Sequence, residues 1–337
     1  MMQVIIDANG DLPMKSSAPG TYEWWYFDAI DEEQELAITI ILFDGMPMSP
    51  YWLDSLPQAK SEDYSGYAIS LYRKGKKIAG FVHHTEYHSI HVDDGLEIHM
   101  GDVSMKKHGD SYTICIDTRF ADSPNALIGE LVFHNQSAIA SHDSLGEGNH
   151  CWRLIVPQCS VEGQLTLIQY EDIHTEWTCS GHGYHDCNSG NDSLDADYDD
   201  WYWGRCDIGK KQSIIYYHYP ASSRNEAMSI AFLADEEYGI RQLSTCSIEL
   251  LNMRMTTSLM NIASTLIIRG YIDESPIEIL INIESILEFG PFYYRYLIEA
   301  QSGDLKSPKK GIAEYFNAKR LKSRIVRTMI KTPIQRV

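Results

Sequence analysis

The sequence predicts an all-β fold of two successive antiparallel units with a helix at the C-terminal end. Short apolar runs recur along the 337 residues with Gly, Asp and Asn between them, the pattern of hairpin-connected strands. Aromatic residues make up 11% of the chain, including 21 Tyr and 7 Trp, and such rings favour pleated, half-buried surfaces or an apolar pocket over a helical bundle. An acid followed by an aromatic triplet occurs twice, as Glu23-Trp24-Trp25-Tyr26 and Asp200-Trp201-Tyr202-Trp203. This echo marks the start of each unit.

In the first unit the strand-like runs are Tyr22 to Ile30, Leu36 to Phe43, Tyr67 to Tyr72, Ser89 to Val92, Leu96 to Met100, Tyr112 to Asp117 and Ile128 to Phe133. In the second they are Ser213 to Tyr219, Met228 to Ala234, Ser247 to Leu251, Ser264 to Tyr271 and Pro276 to Ile283. The polar stretch from Asn188 to Asp200 reads as the crossover, so the domains are assigned to residues 1–192 and 193–337. From Lys306 onward ten Lys or Arg accompany the single acid Glu314, so the last 32 residues carry about +9 within a chain of net charge −19. Ile312, Tyr315, Phe316, Ile325, Val326, Met329 and Ile330 recur there at roughly helical spacing. A basic amphipathic helix is expected, docked on the protein's own acidic surface or resting peripherally on an anionic membrane.

An acidic chain of this size does not suit a phosphate backbone, so nucleic acid is not the expected partner. The N-terminus carries neither a basic leader nor a long apolar segment, and the expected location is cytoplasmic. Seven cysteines without a Cys-x-x-Cys pair point to reduced, mostly buried thiols. No P-loop, dinucleotide fingerprint, nucleophile elbow or zinc-protease motif occurs. His83, His84, His88, His91 and His99 crowd one region, but without fixed ligand spacing they read as strand faces, and no metal or other cofactor is expected. The cluster Asp195, Asp197, Asp199 and Asp200 lacks the glycine of a calcium loop.

Chemistry concentrates in Gly181-His182-Gly183-Tyr184-His185-Asp186, preceded by His150-Cys151-Trp152 and followed by Trp201-Tyr202-Trp203-Gly204-Arg205. In strands, alternate residues share a face. Tyr184 and Asp186 therefore point one way, and His150 and Trp152 share a face of their own strand. Cys151, His185 and Cys187 point to the other side. An acid enclosed by aromatic walls suits protonation of an electron-rich apolar substrate and shelter of the resulting cation.

These strings, with Tyr22-Glu23-Trp24-Trp25-Tyr26-Phe27-Asp28, Pro157 and Trp177, resemble the carotenoid 1,2-hydratases and hydroxyneurosporene synthases, a family that includes AttH-like proteins and lipocalin-like fungal Diels-Alderases. The resemblance runs from residue 22 to residue 205. It implies two tandem lipocalin-like β-barrels with a ligand cavity in or between them, and cofactor-independent addition of water across an isolated alkene of a hydrophobic polyene, or a related cyclisation. It carries the catalytic roles onto Asp186 as acid, Tyr184 and His150, with Trp152, Trp177, Trp25, Trp201 and Trp203 as substrate-binding surface. His150 would orient a water or take its proton, while Trp152 and Tyr184 would present their ring faces to the cation. Where the family has His and often Trp, this chain has Cys187 and Ser189, a departure that alternation places away from Asp186. Glu23 and Arg205 are expected to form an ion pair between the domains. A pericyclic cyclase of the Diels-Alderase type and a non-catalytic lipocalin-type carrier of an apolar ligand are the alternatives.

Overall fold

The computed structural model describes residues 2–7, 10–93, 95–119, 125–137, 144–170, 173–208, 212–223, 225–303, 305–306, 309–331 and 334–336. The first sheet begins with β1 (Gln3–Ile6), β2 (Tyr22–Asp31), β3 (Leu36–Asp44), β4 (Gly66–Arg73), β5 (Lys76–His84) and β6 (His88–His91). It continues through β7 (Glu97–Met100), β8 (Val103–His108), β9 (Ser111–Arg119), β10 (Ala126–Asn135), β11 (His150–Gln169) and β12 (Ile173–Gly190). Helix α1 (Pro50–Ser55) lies between β3 and β4. The second sheet contains β13 (Trp201–Ile208), β14 (Gln212–Tyr219), β15 (Met228–Asp235), β16 (Gly239–Gln242) and β17 (Ser244–Leu251). A small ribbon of β18 (Arg254–Met255) and β19 (Asn261–Ile262) precedes β20 (Thr265–Ile272), β21 (Ser275–Phe289), β22 (Tyr293–Ser302), β23 (Leu305–Lys306) and β24 (Gly311–Phe316). Helix α2 (Arg324–Lys331) and β25 (Ile334–Arg336) end the chain.

Both sheets curl. In the first, β5 and β6 stand near opposite ends of the strand order, yet only residues 85–87 join them, so the sheet must wrap round on itself. In the second, the backbone N–H of Leu243 reaches Ala231 O on β15 at 2.9 Å, drawing the β15 and β17 edges together. Each curl encloses an apolar core. Trp25, Phe27, Ile40, Tyr67, Ile114, Leu131 and Cys187 fill the first; Tyr202, Cys206, Ile214, Ile268, Ile281 and Tyr296 fill the second.

A third core joins the outer faces of the two curled sheets. It explains why β2 and β13 are buried at every position. Alternation sends Trp25 and Phe27 into the first barrel and Trp24 and Tyr26 outward, while β13 sends Tyr202 and Cys206 into the second barrel and Trp201 and Trp203 outward to meet them. The glycines of β12 permit this packing: a Cβ at Gly181 would lie 2.1 Å from Ile30 O, and one at Gly183 would lie 2.4 Å from Asp28 O.

Charge also crosses the junction, although not through the pair expected from sequence. Arg205 Nε donates to Asp28 Oδ1 at 2.9 Å, and its Nη1 contacts His182 Nδ1 at 3.0 Å. Glu23 instead pairs with Arg153 on the first barrel. Register explains the exchange, because Asp28 is on the outward face of β2 and Glu23, with Trp25, on the inward one.

The basic tail is less helical than its spacing suggests. Ile312, Tyr315 and Phe316 belong to β24, paired with both β13 and β22, and the helical turns are confined to Ala318–Lys322 and Arg324–Lys331. Its cations meet the chain's own acids: Lys319 with Asp199, Lys322 with Asp195, and Arg327 and Lys331 with Asp54. Among the described residues no helix is long and apolar enough to cross a membrane.

Candidate active site

Between the barrels lies a cavity of about 340 Å³, within the range of small-molecule sites. Three cross-strand rows of the first sheet build one wall. The central row runs Asp186, Tyr26, Ile41, Ala68, Val82 and Ile334 across β12, β2, β3, β4, β5 and β25. All six line the cavity, flanked by Asn188, Trp24 and Phe43 on one side and Thr39 and Ser70 on the other. The facing wall comes from the second sheet, where Trp201, Phe316 and Tyr293 form one row. Phe289 and Met329, 69% and 56% exposed, stand at the rim.

Asp186 is 3% exposed and accepts three hydrogen bonds. Trp152 Nε1 donates to Oδ2 at 2.8 Å, Tyr184 OH donates to Oδ2 at 2.9 Å, and Asn188 Nδ2 donates to Oδ1 at 3.0 Å. Burial pushes its pKa up to about 8 against the lowering effect of the Trp152 and Tyr184 donors, with Glu314 and Asp28 adding to the rise. Burial thus favours the protonated carboxyl far more than in an exposed aspartate. The three donors are already placed for the carboxylate that forms when that proton leaves.

His150 lies behind this group. Its Nδ1 contacts Tyr22 OH and its Nε2 contacts Asn188 Oδ1, each at 3.1 Å. Because Asn188 turns its amide N–H to Asp186, its oxygen must accept from His150 Nε2, which leaves Nδ1 to accept from Tyr22. Burial lowers the His150 pKa to about 4, so the ring is neutral and acts on Asp186 through Asn188.

Of the residues expected to bind substrate, Trp201 and Trp203 line the cavity. Trp152 and Tyr184 do not present their rings to it; they hold Asp186 by hydrogen bonds. Trp25 and Trp177 are buried in the first barrel. Trp25 lies beside Cys187 in register, and its Nε1 donates to Asp11 O at 2.7 Å. Arg73 lies 5.7 Å from the Trp177 ring centroid. Both tryptophans fall on the barrel-interior face, with His185, whose ring stacks on Phe27 at 3.9 Å.

Sequence reasoning missed Trp24, Tyr26, Asn188, Tyr217 and a polar set on the second barrel. Arg295 Nη1 donates to Thr39 Oγ1 and Tyr72 OH, each at 2.7 Å, while Nη2 donates to Glu314 Oε1 at 2.8 Å. Glu288 accepts from Tyr72 OH at 2.8 Å and pairs with Lys77 at 2.6 Å. Burial alone would raise the Glu288 pKa, but Lys77 and Arg295 bring it below the ordinary value. One signal was available: Glu314 is the lone acid of the basic tail.

Comparison with known proteins finds relatives of this chain. The family model for carotenoid hydratase CrtC matches residues 40–337. A hydroxyneurosporene dehydrogenase of Chlorobaculum tepidum is 26% identical over 352 residues, spanning 96% of this chain and 90% of that one. An acyclic carotenoid 1,2-hydratase of Rubrivivax gelatinosus is 24% identical over 204 residues, 59% of this chain and 48% of its own. Among solved structures, CghA superimposes with a TM-score of 0.67 at 11% identity, covering 89% of this chain and 88% of that one. Kievitone hydratase of Nectria haematococca does so with a TM-score of 0.56 at 11% identity, covering 92% and 95%. These structural likenesses concern the lipocalin-like fold.

Proposed function

The chain belongs to the carotenoid hydratase CrtC family, and from that premise we propose that it adds water across a carbon–carbon double bond of an acyclic hydrophobic polyene, with Asp186 as the proton donor. The observation that carries this reading is the Asp186 carboxyl buried at the cavity wall, its pKa pushed up to about 8, with Trp152, Tyr184 and Asn188 arranged as donors to its oxygens.

The substrate's terminal alkene enters between Trp24, Tyr26, Trp201, Trp203 and Tyr217. Proton transfer from Asp186 to the less substituted alkene carbon places positive charge on the more substituted one, where the aromatic faces stabilise it. Burial supplies an acid, and the three donors lower the barrier by stabilising the carboxylate as it develops. Water then completes the addition. Protons and water alone balance this reaction, so no redox cofactor is required.

Turnover of an acyclic carotenoid in deuterium oxide, followed by mass spectrometry for wild type and Asp186→Asn, tests the reading. Carbon-bound deuterium with added oxygen, lost in the variant, is the expected result. Deuterium without oxygen would indicate proton-initiated cyclisation or isomerisation in the same cavity. Undiminished hydration by Asp186→Asn would remove Asp186 from the acid role.

A further inference from the structure

A second polar row faces Asp186 from the opposite wall. Cross-strand register aligns Tyr217, Trp203, Glu314, Arg295 and Glu288 across β14, β13, β24, β22 and β21, and all five line the cavity. The hydrogen bonds of Glu314 converge on one oxygen. Its Oε1 accepts from Tyr293 OH at 2.5 Å, Arg295 Nε at 3.0 Å and Arg295 Nη2 at 2.8 Å. Its Oε2 accepts none among the described residues.

Trp203 is the direct cross-strand neighbour of Glu314, so the two side chains share a face at close spacing. Trp203 is 3% exposed, and its indole Nε1 is buried without a partner among the described residues. A buried donor left unpaired is costly. A small hydroxylic molecule seated between Trp203 and Glu314 would satisfy both, the indole N–H donating to its oxygen and Glu314 Oε2 accepting its hydrogen.

We propose that Glu314 is the base that takes the proton from the attacking water, with Trp203 holding that water's oxygen. This rests on the hydration reading above and assigns its second half. As the water oxygen bonds to the cationic carbon, one of its O–H bonds breaks and the proton passes to Glu314 Oε2. Asp186 has then lost one proton and Glu314 has gained one. Exchange with solvent resets both, so the sum is alkene plus water giving alcohol. His150 is not needed as base, since both of its ring nitrogens are engaged behind Asn188.

The test compares two products in one incubation of an acyclic carotenoid in detergent micelles and deuterium oxide: the hydrate, and alkene that has gained deuterium at carbon. Without the base the cation forms but is poorly captured and returns its proton. Glu314→Gln should therefore lower the ratio of hydrate to deuterated alkene by about 100-fold or more. A ratio within one sample does not depend on how much of the variant folds. Trp203→Phe, which keeps the ring but removes the N–H, should lower it about tenfold. An unchanged ratio in both variants, or parallel loss of both products in both, overturns the proposal. Asp186→Asn should remove both products together; if it retains them while Glu314→Gln still shifts the ratio, the acid assignment fails and the base assignment stands.

Discussion

Trp152 Nε1 donates a 2.8 Å hydrogen bond to Asp186 Oδ2, which ties the indole to that carboxyl. A donor to a carboxylate contributes about 1.5–3 kcal/mol, and here it acts on charge that appears only as the proton departs. Trp152→Phe should reduce kcat for hydration by about 10- to 100-fold with little change in KM. A raised KM at unchanged kcat would mean that Trp152 serves substrate binding instead.

With Asp186 as the proposed proton donor, a pH response is expected. Trp152, Tyr184 and Asn188 face it as neutral donors, and Glu314 and Asp28 are the nearby acids that raise its pKa further, giving a value of about 8. Activity that needs the protonated form should fall as pH rises through about 8. Stability moves the same way for a different reason. Between the ordinary value of 3.8 and about 8, the unfolded chain releases a proton that the folded chain retains, so the contribution of Asp186 to stability declines across that window as pH rises. Buried neutral His150, with its pKa lowered to about 4, acts in the opposite sense in both proteins, so urea unfolding from pH 4 to 9 should show the effect as a more negative slope in the wild type than in Asp186→Asn. Equal slopes would place the Asp186 pKa near its ordinary value.

Alternation and composition made the all-β class and several strands legible, and alternation correctly put Tyr184 with Asp186 and Cys187 opposite them. It could not say which face of β2 or β12 would be barrel interior and which would meet the second barrel. That choice depends on the curl of the sheet, and it separates Trp24 from Trp25. Glu314, Arg295 and Glu288 were hidden for a related reason: they become neighbours through register among β21, β22 and β24, strands far apart in their sequence signals. Ile312, Tyr315 and Phe316 have helical spacing, yet they also suit the strand Gly311–Phe316, which is buried on both faces. Pairing with β13 and β22 decides the matter.

The Asp28–Arg205 pair offers a contrast between buried and exposed charge. Both partners are at most 1% exposed, so Asp28→Ala leaves a guanidinium in the junction without its carboxylate and should cost about 3–5 kcal/mol. Glu278→Ala removes a carboxylate from Arg269 on the surface, where partners are 45% and 64% exposed, and should shift the midpoint far less. Denaturant midpoints for the two variants measure the difference. Similar losses would show that Arg205 finds sufficient compensation in His182.

Helix α2 brings Met329 and Ile330 to the cavity, and Asp54 of α1 holds it there through Arg327 at 2.8 Å and Lys331 at 3.0 Å. Such partly exposed pairs contribute only about 0–1 kcal/mol to global stability, but the helix has just eight residues and cannot persist by propensity alone. A small energetic change should therefore appear locally. Asp54→Asn should leave the thermal midpoint nearly unchanged and increase amide exchange across residues 324–331 by up to about fivefold. High salt should produce the same local increase in the wild type, because screening weakens exposed pairs. If exchange in α2 responds to neither change, the contacts of Val326 and Ile330 hold the helix, and its fit over the cavity is set by apolar packing instead of charge.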